Sequence, residues 1–335
     1  MAGRIHSEAG RGVRKVSVII PVKNRAGLLR KTLDNLLLQT LLPHEIIVID
    51  DHSSDDIRQV IFDYITDAIF LNNEGNGPGA ARNLGLRHAT GDYIQFFDSD
   101  DLMASDKLEL QVMELENSGA DIAYGPYVKA EETSSGWIQK DVIMQWYGIP
   151  KELSLTASIL RGWNAITQAC LFRKSFLDSV PLWDEKLITH EDYLYLFRLS
   201  LHRPLMVHVP GAAVLYRQHG AQSTDAETLS RSRALDRLQV LLAMRKELSG
   251  NETRAFDRML FSGRLRQAYD FFSDSGEDMR PYRGFLQASD WLFKWLYRIY
   301  NKRERMKTGT AWEPMHGVSG SEIHYLQIVN SIKHG

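Results

Sequence analysis

The sequence predicts an α/β protein, a mostly parallel sheet flanked by helices, followed by a helical C-terminal extension. Three observations carry that expectation. From residue 16 to about 125, short runs of β-branched and aromatic residues alternate with segments of helical periodicity, the pattern of parallel strands joined by crossover helices. Polar residues collect where the apolar runs stop, at 21–24, 50–53 and 98–101, so a right-handedly wound sheet brings them to one edge. Beyond about 225 only helical stripes remain.

Composition sets the bounds. The 335 residues fit about two domains, or one large domain with an extension. Hydrophobic residues at 44% and charged residues at 24% describe an ordinary globular chain. A net charge of −2 gives no general attraction to nucleic acid, and no nucleic-acid partner is expected. The single cysteine, Cys170, excludes an internal disulfide framework and suits a reducing compartment. No apolar run reaches the roughly 18–20 residues that cross a bilayer. Residues 1–15 carry Arg4, Arg11, Arg14 and Lys15 without an apolar stretch, and read as a loose tail rather than a signal peptide. The expected location is cytoplasmic.

In order, Val16 to Val22 is a strand that runs into Pro21. Leu29, Leu33, Leu36 and Leu37 then recur as the face of an amphipathic helix. A second strand from Glu45 ends in Asp50 and Asp51, and a helix follows with Ile57, Ile61, Tyr64 and Ile65 on one face. Ile69, Phe70 and Leu71 form a brief third strand. The glycine-rich stretch from Gly75 to Gly79 leads into a helix from Ala80 to His88; it lacks the Gly-Lys-Ser/Thr ending of a Walker loop and reads as a turn. Arg82, near the start of that helix, is either a surface residue or one that reaches a nucleotide.

Tyr93-Ile94-Gln95-Phe96-Phe97 is the fourth strand, and it stops at Asp98-Ser99-Asp100-Asp101. Carboxylates crowded at a strand end repel one another unless a cation lies between them, and hard divalent cations prefer oxygen ligands. In open α/β sheets this C-terminal edge is also where ligands bind. The bland reading of the same residues is an acidic turn that caps the next helix. A helix with Leu108, Val112 and Leu115 and a strand from Asp121 to Tyr124 complete the regular part.

Between about 125 and 215 the alternation breaks down. Thr167 to Phe172 and Val207 to Tyr216 read as strands, with Pro204 and Pro210 at bends. Thr189-His190-Glu191-Asp192 opens a helix that carries Tyr193, Phe197 and Leu201. Thr189 as N-cap with Asp192 three residues on has the form of a capping box; the same acid pair at the edge of a cleft can take a proton. The two roles are compatible, since a helix N-terminus steadies a carboxylate. His219 is either a solvated loop histidine or an imidazole brought to a metal or diphosphate.

In the C-terminal extension, Leu235, Leu238 and Leu242 form one stripe, and Phe256, Met259 and Leu260 another. Within residues 285–307, Phe285, Leu292, Leu296 and Ile299 share one face, and Lys294, Arg298, Lys302 and Arg305 the other. The net charge over 286–307 is +4. That basic face is either the solvated side of a packed helix or a peripheral contact with an anionic membrane at its inner surface. Residues 308–320 read as irregular.

Taken together, the motifs resemble a family 2 glycosyltransferase of the GT-A fold. Val18-Ile19-Ile20-Pro21-Val22-Lys23-Asn24 resembles that family's opening strand, and Asp50-Asp51-His52-Ser53 its Asp-Asp-Gly-Ser segment with histidine for glycine. Gly79-Ala80-Ala81-Arg82-Asn83, Gly91-Asp92-Tyr93-Ile94 and the DXD-like Asp98-Ser99-Asp100 follow in order, then Glu191-Asp192 and Tyr216-Arg217-Gln218-His219. The resemblance spans about residues 15–222.

It implies a GT-A domain at 16–224, with a nucleotide-binding half at about 16–125 and an acceptor half at about 126–224, before a mainly helical region at 225–335. It implies an inverting enzyme that moves a sugar from a nucleotide-sugar donor, a UDP-sugar, to a saccharide or lipid-linked saccharide, in cell-surface polysaccharide or glycoconjugate synthesis. By the same resemblance, Pro21 and Val22 border the nucleoside, with Asn24 and Asp50 in the nucleotide set. Asp51 accepts from the base, and Arg82 lies near it. Asp98 and Ser99 hold ribose and diphosphate. Asp100, with Asp98 and His219, binds Mn²⁺ or Mg²⁺. Asp192 is the general base, with Glu191 beside it. Two alternatives stand beside this reading: a degenerate nucleotide-sugar-binding subunit of an assembly complex, and a nucleotidyltransferase. The second lacks the basic glycine-rich loop expected after its first strand.

Overall fold

The computed structural model describes residues 14–64, 68–133, 136–139, 149, 154–161, 163, 165–219, 239–248 and 255–274. The tail at 1–13, the basic segment at 285–307 and the stretch at 308–320 lie outside the described residues, as do Leu235 and Leu238. No described helix is long and apolar enough to cross a membrane.

The chain builds β1 (Val16–Val22), α1 (Ala26–Leu37), β2 (Glu45–Asp50), α2 (Ile57–Tyr64), β3 (Ile69–Asn72), α3 (Gly77–His88), β4 (Tyr93–Phe96), β5 (Leu102–Met103), α4 (Lys107–Ser118) and β6 (Ile122–Tyr124). It continues with β7 (Tyr127–Thr133), β8 (Gly136–Gln139), α5 (Leu155–Leu160), a 3-10 turn at Thr167–Ala169, β9 (Cys170–Arg173) and α6 (Lys174–Leu177). Then come α7 (Glu191–Leu201), β10 (Met206–His208) and β11 (Val214–Gln218). Helical residues 239–248 form α8, and α9 is Ala255–Asp274.

The main sheet has the order β10-β6-β9-β4-β1-β2-β3. β1 lies parallel to both β2 and β4, β2 to β3, and β10 to β6, while β9 runs antiparallel between β4 and β6. Alternation along the strands fills two layers. Ile19, Ile47, Ile94 and Phe96 face α3, α5 and α7. Val18, Ile20, Val48 and Tyr93 face α1, α2 and α4. On α1, Leu29, Leu33 and Leu36 are buried as their spacing predicts, but Leu37 is exposed because it falls past the edge of that face.

Four differences from the sequence reading have local causes. Thr167–Ala169 is a 3-10 turn, so the strand expected from Thr167 begins at Cys170. The strand expected from Val207 to Tyr216 is two, β10 and β11, separated at Pro210, and they join different sheets. α7 starts at Glu191 with His190, not Thr189, at the cap position, and no side chain of His190 closes it. A second sheet, β5-β11-β7-β8, appears where the alternation failed. Its β11 lies parallel to β7, which carries the segment after β10 back toward the strand-end aspartates.

The described part of the C-terminal extension is not a separate body. Val240 and Met244 of α8 and Leu260, Phe261 and Leu265 of α9 are buried in the same core as Trp163, Leu194 and Phe197. Arg264 Nη1 donates to Ile159 O at 3.1 Å and to Tyr193 Oη at 2.8 Å, tying α9 to α5 and α7.

Candidate active site

One cavity of about 670 Å³ opens over the C-terminal ends of β1, β2 and β4, lined among others by Pro21, Val22, Asp51, Arg82, Asp98, Ser99, Glu191 and Asp192. The strand ends supply one wall and the N-terminal turn of α7 the opposite one.

At the end formed by β1 and β2, Asp51 is 5% exposed and held rigidly. Its Oδ1 accepts from Asn73 Nδ2 at 2.7 Å and from Gly77 N at 3.0 Å. Gly77 has φ 84°, a conformation open to glycine, which aims its N–H at the carboxylate. Among the described residues, Oδ2 meets only the exposed Lys23 ammonium, at 3.3 Å. Asn24 lines the cavity with φ 54°, and its Oδ1 accepts from Ser54 N and Oγ, stapling the β1–α1 turn to the β2–α2 turn. Asp50 is not among the lining residues; its carboxylate accepts from Ser53 N at 3.1 Å and closes its own turn. His52 adopts φ 60°, the left-handed backbone that explains a usual glycine there, and its ring reaches Gly75 O at 2.9 Å.

At the end of β4, one carboxylate oxygen each of Asp98, Asp100 and Asp101 lies within 4.8 Å of the others. The three are held by several elements. His219 Nε2 and Arg25 Nη1 meet Asp100 Oδ2 at 3.0 and 2.7 Å. Asp101 accepts from Arg217 N at 3.0 Å and Gln168 Nε2 at 3.2 Å, and Gln168 also donates to Asp98. Arg217 Nε donates to Asp100 O, and its Nη2 to Leu28 O and Thr32 Oγ1. Burial alone would raise the Asp100 carboxyl, but His219, Arg25 and Arg217 hold it below the ordinary aspartate range. Burial, with the charges of Asp100 and Asp98 beside it, pushes Asp101 well above that range. An all-oxygen donor set of this kind fits a hard divalent cation. The buried His219 Nδ1 has no hydrogen-bond partner among the described residues.

Arg82 joins the two walls. Its guanidinium is 4% exposed, donates to Asp98 Oδ1 and Glu191 Oε1 at 2.8 Å each, and lies 4.5 Å over the Trp183 ring. Arg82 thus lines the cavity between two acids. Although burial would lower it, the charges of Asp98 and Glu191 hold the guanidinium above its ordinary range. α3 reaches this depth because Asn83 exchanges hydrogen bonds with the backbone of Trp183 and because Gly79 has no Cβ, which would meet Asp184 O at 2.5 Å. Glu191 is thus tied down, and burial raises its carboxyl despite Arg82. Asp192, half-buried on the cavity, accepts from Tyr193 N at 2.7 Å, and burial raises it also.

Sequence reasoning missed Lys23, Asn73, Arg25 and Gln168. Asn73 follows β3 as Asp51 follows β2, so the strand-end rule applied to the third strand finds it. Gln168 was hidden by its reading as part of a strand.

Residues 17–180 match the model of glycosyl transferase family 2. An uncharacterized glycosyltransferase of Rickettsia felis is 41% identical over 120 residues, 35% of this chain and 20% of that protein. The chain therefore spans about a fifth of that curated relative. The Escherichia coli UDP-Glc:alpha-D-GlcNAc-diphosphoundecaprenol beta-1,3-glucosyltransferase WfgD is 34% identical over 114 residues, 33% of this chain and 45% of that enzyme. In structure, the chain is similar to S. aureus TarS 1-349 in complex with UDP-GlcNAc, with a TM-score of 0.60 and 19% identity over 84% of this chain and 78% of that one. That likeness shows a GT-A fold. Motif order, sheet topology and relatives agree, and the chain belongs to glycosyl transferase family 2 through the domain matched at residues 17–180.

Proposed function

We propose that this glycosyltransferase moves a sugar from a UDP-sugar to a hydroxyl of a saccharide or lipid-linked saccharide, with inversion, in the synthesis of cell-surface polysaccharide or glycoconjugate. The observation that carries the reading is the convergence of Asp51, Asp98 and Asp192 on one cavity, from the ends of two strands and the start of α7. The names of two similar proteins favour UDP: the E. coli relative is named for UDP-Glc and a diphosphoundecaprenol acceptor, and the TarS structure holds UDP-GlcNAc. In this reading residues 16–125 hold the donor, and 126–224 shape the acceptor side.

Each residue has a task. Pro21 and Val22 border the nucleoside, while Asn24 and Asp50 fix the two turns around it. Asp51 Oδ1 is already engaged, so Oδ2 accepts from the base; a pyrimidine N3–H, present in uracil and absent in cytosine, suits an acceptor-only carboxylate. Asp98 and Ser99 hold ribose and diphosphate. Asp100 and Asp98, with His219, hold Mn²⁺ or Mg²⁺, which when bound supplies a Lewis acid to the departing diphosphate. A sugar hydroxyl is a poor nucleophile, so Asp192 takes its proton as the new bond to the anomeric carbon forms and the bond to the diphosphate breaks. Burial raises the Asp192 carboxyl, which brings its basicity nearer to the task. Glu191 stays with Arg82 and supports that turn.

Calorimetry of UDP binding with and without Mn²⁺ tests the site. Asp100→Asn is expected to abolish the Mn²⁺-dependent part of UDP binding while the chain stays folded. Unchanged UDP affinity in that variant under both conditions refutes the assignment.

A further inference from the structure

Arg25 is the cation that occupies Asp100 in this structure. Its Nη1 lies 2.7 Å from Asp100 Oδ2, the oxygen that His219 Nε2 also approaches at 3.0 Å. Arg25 lines the cavity, whereas Asp100 does not and is only 6% exposed. A metal ion approaching from the cavity therefore meets the guanidinium before the carboxylate. The backbone of Arg25 is fixed, since its carbonyl accepts from Leu28 N and Leu29 N at the start of α1. Its side chain is 22% exposed on the cavity side.

The other cations near the site are committed: Arg217 donates to Asp100 O, Leu28 O and Thr32 Oγ1. Arg82 is buried between Asp98 and Glu191, and Lys23 stands at the other end with Asp51. An arginine and a divalent ion at bonding distance from one carboxylate oxygen repel each other. A displaced guanidinium keeps a planar fork of N–H donors, which matches phosphate oxygens.

We propose that Arg25 is an exchange residue of the donor site: it neutralises Asp100 until a divalent cation takes that carboxylate, and then moves onto the diphosphate of the donor. The inference rests on the reading of Asp98 and Asp100 as the metal site. It makes metal and donor binding cooperative through one side chain.

The test uses the full chain and Arg25→Gln, with two titrations, Mn²⁺ alone and then UDP at saturating Mn²⁺. With the competing cation gone, Mn²⁺ alone is expected to bind roughly three- to tenfold more tightly. UDP is expected to bind about 10- to 100-fold more weakly, the loss of a charge-assisted hydrogen bond. Arg25→Lys keeps the charge on a narrower donor and should show smaller shifts in the same two directions. A merely structural arginine would weaken both affinities together. Shifts of one sign, or no shift in either titration, overturn the proposal, with a thermal melt establishing that the variant is folded. Should Arg25→Gln not fold, Arg25→Lys is read by the same two signs. A wild-type chain that binds neither Mn²⁺ nor UDP overturns the donor-site reading itself, a distinct result.

Discussion

Replacing Arg82 by methionine probes the contact that joins the two halves of the site. The guanidinium, at 4% exposure, is shared between Asp98 and Glu191, whose side chains are 27% and 11% exposed. Methionine fills much of the volume over Trp183 but leaves two carboxylates without their cation. Breaking a buried ion pair from one side costs about 3–5 kcal/mol. Water at Asp98 screens part of that, so the lower end, about 3 kcal/mol, applies here. At roughly 2–4 °C per kcal/mol for a domain of this size, the melting temperature should fall by about 6–12 °C. Adding Glu191→Gln removes one stranded charge, so the double variant should recover part of the loss. Thermal melts of wild type, both single variants and the double variant close the cycle. A fall of less than about 2 °C for Arg82→Met, or no recovery in the double variant, refutes the idea that Arg82 joins the walls.

Two other expectations concern the base and the core. Asp192→Asn should lower transfer at saturating donor by about 10²–10⁴-fold with UDP binding nearly unchanged, and Glu191→Gln should cost less; normal turnover in Asp192→Asn beside a dead Glu191→Gln makes Glu191 the base. Lys107 is fully buried, its ammonium donating to the amide oxygens of Gln95 and Gln111, and burial lowers its pKa to about 7. In the unfolded chain it titrates near 10.4, so between about pH 7 and 10 the unfolded state binds more protons and stability rises with pH. Relative to Lys107→Met, the wild type should gain resistance to urea from pH 7 to 9 and lose it as pH falls back; parallel pH profiles of the two would show Lys107 charged in the folded state as well as in the unfolded one and refute the lowered pKa.

The apolar runs and their endings determined much of this protein without help. Strands β1 to β4 and the helices between them follow from local periodicity, because each apolar stripe must be covered and parallel strands need crossovers. The grouping of Asp51, Asp98 and Ser99 at one edge follows from the same rule, since successive parallel strands end on the same side. Pairing did not follow. β9 lies antiparallel between β4 and β6, and β11 lies parallel to β7, through contacts between residues far apart in the chain. No local pattern encodes such contacts. That is why the neighbours of β9 and β11 could not be read from the chain, whereas the hairpin of β7 and β8, the 3-10 turn that holds Gln168 and the break at Pro210 are local features whose turn chemistry the strand pattern masked.

The partners of the charged groups were decided only in three dimensions. The sequence marked Arg82, Glu191 and Asp100 as residues of interest. It took the docking of α3 against the segment at 183–185 to place Arg82 between Asp98 and Glu191. Likewise the start of α1 set Arg25 on Asp100, and β11 brought His219 to the same oxygen. A carboxylate's partner depends on whichever cation the packed fold carries within about 4 Å, and that distance is a property of tertiary structure rather than of spacing along the chain.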